Sequence, residues 1–114
     1  LVPHGISVIL NTPAVVRFTA PACPDRHLRA AQALGAEIDG VPLEDAGDVL
    51  AAEVIRFMQQ LGMPSGLAAV GYSDADIPAL VEGTLPQHRV TKLSPIEAGP
   101  DELTQLFSDS LTIW

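Results

Sequence analysis

Between Leu43 and Leu61 the positions Gly47, Leu50, Val54, Phe57, Met58 and Leu61 recur at spacings of three and four, while Glu44, Asp45, Asp48, Glu53, Arg56 and Gln59 take the other side. A helix advances 3.6 residues per turn, so this spacing lines up one apolar face opposite a polar one. Acidic residues crowd the first turn, where the helix dipole favours them, and Gly62 followed by Pro64 ends the pattern. The pattern predicts an amphipathic helix over about residues 43–61.

Two more helices follow from the same reasoning. The stretch "PDRHLRAAQALG" opens on Pro24 and Asp25 and stops at Gly35. The chain closes on "GPDELTQLFSDSLTIW", where Pro100 suits the first helical position and Leu103, Leu106, Phe107, Leu111 and Trp114 form one stripe. Between them, Ser73 with Asp76 three residues on has the form of a capping box, but Pro78 would then fall beyond the first turn. That helix starts either at Ser73 or near Asp76. The opening segment is ambiguous: Ile6, Val8, Ile9 and Leu10, then Val15, Val16 and Phe18, read locally as buried strand, and periodicity alone does not separate that from buried helix.

Composition narrows the architecture. A chain of 114 residues is one domain's worth, able to hide roughly two-thirds of its unfolded surface. Its 47% apolar residues include only 4% aromatics, so the core must be built from Leu, Val, Ile and many small Ala, which suits closely packed helices. Fourteen acidic residues against six basic give a net charge of −8, which repels nucleic acid and anionic membranes alike. No apolar run approaches the ~20 residues of a membrane span, and no basic segment followed by an apolar one marks a signal peptide. The single Cys23 forms no internal disulfide. A soluble, cytoplasmic chain with neither nucleic acid nor membrane as partner is the expectation.

The chemistry-bearing residues are sparse. There is no Gly-rich phosphate loop, no paired Cys, no pair of His at helical ligand spacing and no nucleophile elbow. No complete catalytic machine is present, and no residue is assigned a catalytic or cofactor-binding role. Three His remain. His27, among charged residues early in a helix, fits a structural or surface role, and His88 lies in a polar connector. Cys23 reads as a small packed residue and "EDAGD" as a solvated helix start. His4 stands beside a Gly at the mouth of an apolar segment expected to be buried, where an imidazole needs either a hydrogen bond or a metal. "HRVTK" concentrates Arg89 and Lys92 in an acidic chain, either as a charged surface loop or as a pocket for a carboxylate.

The stretches "VPHGISVILNTPAVVRFTAPACPDRHLRAAQALGA" and "DAGDVLAAEVIRFMQQLGMPSGLAAVGYSDADIPALVEGTLPQHRVTKLSP" closely resemble the C-terminal part of hydroxyacid-oxoacid transhydrogenases, within the iron-containing (group III) alcohol dehydrogenases. The resemblance implies an all-α helical bundle, the C-terminal domain of the dehydroquinate synthase-like fold, with the opening segment helical and interrupted near Pro13. It implies a metal, Fe2+ or Zn2+, held by one Asp and three His, His4 of the Pro-His-Gly motif being the last of them. It also implies an NAD(P)-binding domain lying upstream of Leu1, so that residues 1–114 are a helical C-terminal domain, inactive alone and binding neither cofactor tightly. Where many alcohol dehydrogenases of the group carry Asn-Pro near the chain end, this sequence has Thr91, Lys92 and Leu93. That departure favours a hydroxyacid such as 4-hydroxybutyrate over a simple alcohol, with Arg89 and Lys92 as candidates to bind its carboxylate. The competing expectations are an NAD(P)-dependent alcohol dehydrogenase or maleylacetate reductase of the same superfamily, and a non-catalytic helical interaction module. A homo-oligomer stays open.

Overall fold

Six α-helices and four short 3₁₀ turns carry the chain in a computed structural model that describes residues 1–114, with no strand anywhere. The helices are α1 (His4–Thr19), α2 (Pro24–Ala33), α3 (Ala46–Gln60), α4 (Ile77–Thr84), α5 (His88–Thr91) and α6 (Pro100–Asp109). None is long and apolar enough to cross a membrane.

The segment that reads locally as strand is α1. Each Val or Ile costs only a few tenths of a kcal/mol in a helix, while burying a side chain such as Leu10 returns roughly 1.5–3 kcal/mol. Leu10 is wholly buried, Pro13 and Ala14 are buried beside it, and the helix packs on α3 and α6. Its polar residues are absorbed locally. Asn11 Nδ2 donates to the Ser7 carbonyl at 2.8 Å, and Thr12 and Thr19 hydroxyls donate to the Val8 and Val15 carbonyls at 2.9 and 3.0 Å. The expected interruption near Pro13 does not occur: α1 runs through it. A proline there removes one i to i−4 hydrogen bond, and packing on two neighbours holds the turn in place.

The α3 helix differs from its predicted stripe at both ends. A 3₁₀ turn, Leu43–Asp45, precedes it, and the buried positions are Ala46, Gly47, Leu50, Ala51, Val54 and Met58. The small residues face α1: a Cβ on Gly47 would stand 3.0 Å from both Ala20 Cβ and Arg17 Cα, so the two backbones cross at close range. Phe57 and Leu61 do not join that face: they are 37% and 69% exposed, Leu61 lying just past the last residue of α3. Phe57 is covered instead by the Arg56 guanidinium, 4.4 Å from the ring centroid.

The principal core gathers Leu10 from α1, Ala31 from α2, Leu50, Val54 and Met58 from α3, and Leu67 from the following loop. A smaller core pairs Ile77 and Val81 of α4 with Leu103 of α6, and Phe107 and Leu111 pack against both. The two possible starts of α4 are both realised. Ser73 Oγ and the Ser73 N–H each donate to Asp76 Oδ2, at 2.9 and 2.8 Å, capping a 3₁₀ turn over Asp74–Asp76. The α-helix follows from Ile77 with Pro78 in its first turn, where a missing N–H costs nothing.

The last helix ends earlier than its apolar stripe suggests. After Asp109 the tail is clasped against residues 65–68: the Leu67 and Ala68 N–H groups donate to the Ser110 and Leu111 carbonyls at 2.8 and 3.0 Å. Ile113 N–H reaches the Ser65 carbonyl at 3.2 Å, and Trp114 N–H reaches Ser65 Oγ at 3.0 Å. Leu111 and Ile113 thus enter the principal core from a non-helical segment, while Trp114 stays 42% exposed.

Candidate functional site

His4 is the first residue of α1, set there by Pro3, whose backbone (φ −57°, ψ 143°) is extended just before the helix begins. Its carbonyl accepts a hydrogen bond from Ser7 Oγ at 2.8 Å, which closes the first turn. Pro3, His4 and Gly5 are all exposed, and no atom lies within 4 Å of where a Gly5 Cβ would stand. The expected burial of the imidazole is therefore not found. In the same turn Ile6 packs against the principal core, but His4 lies off that contact, and full burial starts only at Leu10.

The ring makes no side-chain hydrogen bond, so both nitrogens are open to a ligand, and an imidazole suits Fe2+ or Zn2+. The donor set is single: nowhere do three or more His, Cys, Asp or Glu converge as a metal site. A catalytic metal of this kind draws about three protein ligands, so His4 fits as one contributor to a larger set.

Arg89 and Lys92 lie on and just after α5, a single turn, and both are exposed. Neither is in an ion pair; the chain's two ion pairs are Arg17–Asp48 at 2.8 Å and Arg56–Glu53 at 2.7 Å. A groove of about 520 Å³ lies beside α5 and the start of α6, lined by Leu85, His88, Thr91, Lys92, Ser94, Glu97, Ala98 and Gly99. Lys92 lines it and Arg89 does not; His4 is not part of it either. The structure therefore sets the imidazole and the two cations in separate places, without a direct hydrogen bond between them.

Of the structural and surface roles its sequence context allows, His27 has the structural one, and it is buried. Only 8% exposed, its Nε2 lies 2.9 Å from Thr19 Oγ1 and its Nδ1 2.9 Å from the Cys23 carbonyl. The half-buried Cys23 Sγ is 3.6 Å from Nδ1. The ring ties the end of α1 to the start of α2. The available signal was its helical register with Leu28 and Ala31, all three buried on one face. In "EDAGD", Glu44 and Asp45 are exposed and Asp48 pairs with Arg17, a solvated helix start.

The family model described as "Fe-containing alcohol dehydrogenase family, C-terminal" matches residues 1–111. Across all 114 residues the chain is 53% identical to a probable hydroxyacid-oxoacid transhydrogenase of Dictyostelium discoideum, covering 21% of that protein. It is 54% identical to the Xenopus tropicalis hydroxyacid-oxoacid transhydrogenase and 53% identical to that of Homo sapiens, covering 25% and 24% of them. The chain thus spans about a quarter of the length of the curated relatives it matches. All three are named mitochondrial, which overturns the expectation of a cytoplasmic protein. A lone Cys, which cannot form an internal disulfide, does not distinguish one compartment from another. Among solved structures, a 1,3-propanediol oxidoreductase superposes with a TM-score of 0.88 at 24% identity, over 96% of this chain and 28% of that one, which fixes the fold. Family match and superposed fold together place the chain in the Fe-containing alcohol dehydrogenase family, as its all-helical C-terminal part.

Proposed function

We propose that residues 1–114 are the helical C-terminal domain of a metal-dependent oxidoreductase whose nucleotide-binding domain precedes it. Its reaction moves a hydride from a hydroxyacid such as 4-hydroxybutyrate to an oxoacid such as 2-oxoglutarate through a bound nicotinamide nucleotide. The observation that carries this reading is identity of 53–54% along the whole chain to proteins named hydroxyacid-oxoacid transhydrogenase.

When bound, the Fe2+ or Zn2+ ion polarises the reacting oxygen, and the NAD(P) takes up and returns the hydride. His4 would contribute one imidazole nitrogen to the ion. Its place in the first turn of α1, closed by Ser7 Oγ, keeps that nitrogen at an open helix end. The Arg89–Lys92 segment supplies the cation that distinguishes a hydroxyacid from a plain alcohol. A charge-assisted hydrogen bond to the carboxylate is worth about 1.5–3 kcal/mol. The redox balance closes within the two substrates: the hydroxyacid loses a hydride and a hydroxyl proton, and the oxoacid gains a hydride and a proton on its carbonyl.

The test is incubation of the full-length enzyme with 4-hydroxybutyrate and 2-oxoglutarate and no added nucleotide. Reduction of the oxoacid is the expected result. Turnover only after free NAD(P) is added would instead identify an alcohol dehydrogenase that releases its nucleotide. The isolated chain is expected to show no turnover.

A further inference from the structure

We infer that Lys92, and not Arg89, anchors the substrate carboxylate, and that the groove it shares with His88 holds the substrate's carbon chain. This rests on the transhydrogenase reading proposed above.

The inference comes from helical register and from what lines the groove. On α5, residues 88, 91 and 92 stand at i, i+3 and i+4 and share one face. All three line the groove. Arg89 is absent from that lining, and its neighbours Val90 and Leu93 are 58% and 80% exposed. Both cations are exposed, but only Lys92 borders the groove, where a bound acid would meet walls as well as water.

The groove suits a short aliphatic acid. Its volume of about 520 Å³ lies within the ~300–1,000 Å³ usual for small-molecule sites. Leu85 and Ala98 give apolar wall for methylene groups, and Lys92 has no carboxylate within ion-pair distance, so its ammonium is free. Glu97 also lines the groove and repels an acid from its own side. Attraction at Lys92 and repulsion at Glu97 orient the substrate with its carboxylate on the α5 side. His88 sits one turn before Lys92 on the same wall and offers a further hydrogen bond.

The experiment measures KM and kcat of the full-length enzyme for 4-hydroxybutyrate and for the uncharged butane-1,4-diol, in wild type and in Lys92→Ala, Lys92→Arg and Arg89→Ala. Lys92→Ala is expected to raise KM for the acid by about tenfold or more and to leave the diol within about twofold, Lys92→Arg to recover most of the loss, and Arg89→Ala to stay within about twofold on both. Lys92 is exposed and unpaired, so these variants keep the fold, which far-ultraviolet circular dichroism verifies. An Arg89→Ala effect on the acid as large as that of Lys92→Ala, or equal losses on acid and diol, would overturn the inference while leaving the reaction intact. A wild-type enzyme that uses the diol but never the acid would instead remove the parent reading.

Discussion

Gly66→Ala tests the clasp that holds the C-terminal tail. Gly66 has φ +109°, a conformation L side chains rarely adopt, and an alanine there is strained by about 1–3 kcal/mol. Space is the second obstacle. The new Cβ would stand 2.5 Å from the Leu111 carbonyl oxygen and 2.7 Å from that of Ser110, both backbone atoms that cannot rotate aside. Relief requires the tail to move away, which breaks the hydrogen bonds from Leu67 and Ala68 N–H to those same two oxygens. At about 1 kcal/mol each, the total loss comes to roughly 3–5 kcal/mol, a large share of the ~5–15 kcal/mol stability of a domain.

Gly62→Ala is the control. Its φ is +64° and no atom lies within 4 Å of the new Cβ, so only the left-handed penalty of about 1–2 kcal/mol applies. Both variants would be followed by equilibrium urea unfolding, read by circular dichroism at the helical band, with the slope checked for constancy. The expected order is wild type, then Gly62→Ala, then Gly66→Ala, with about 2–3 kcal/mol between the variants. Equal losses within about 0.5 kcal/mol would refute the clasp argument, because the backbone contact would then contribute nothing beyond φ strain.

Met58→Ala, at a side chain 1% exposed in the principal core, is expected to cost about 2–5 kcal/mol in the same unfolding assay, whereas Phe57→Ala on the neighbouring exposed face should cost clearly less. Thr19→Val removes the oxygen 2.9 Å from buried His27 Nε2 and should cost about 1–3 kcal/mol; a loss under ~0.5 kcal/mol would mean that the ring finds another partner. His4→Ala should leave the helical signal and urea midpoint of this chain unchanged, since the ring is exposed and unbonded, yet strip the metal from the full-length enzyme, as elemental analysis would report. Full metal content in that variant would return His4 to a surface role.

How much of this was legible depends on whether an element shows water a polar face. The stretches 24–35, 43–61 and 100–109 do, so their 3.6-residue rhythm is plain in the sequence. α1 packs on both α3 and α6 and satisfies Asn11, Thr12 and Thr19 within its own turns, so no polar stripe survives to betray its period. There the β-branched content misled, and only the likeness to a known family pointed to helix. The outward turn of Phe57 and Leu61 was hidden for a different reason. The apolar rhythm runs one residue past the end of α3, where Leu61 stands, and which edge of the stripe is covered depends on the neighbouring elements and not on α3 alone.

The candidate site divides along the same line. His4 was legible because Pro-His-Gly is a local motif, but its exposure was not, since burial depends on what covers the first turn of α1. Arg89 and Lys92 stood out as cations in a chain of net charge −8. Composition treats them as equivalent, and the structure distinguishes them in one respect: both are exposed, but Lys92 lines the groove beside α5 and Arg89 does not. The tail clasp lay furthest out of reach. Its hydrogen bonds are mostly between main-chain atoms, which every residue but proline supplies on both sides, so pairing there leaves almost no mark on side-chain identity. Gly66 is the mark it does leave, a position where any Cβ would collide with the main chain of the tail. Gly66, outside any helix and with φ +109°, therefore points to a backbone contact that the pattern of apolar and polar residues cannot encode.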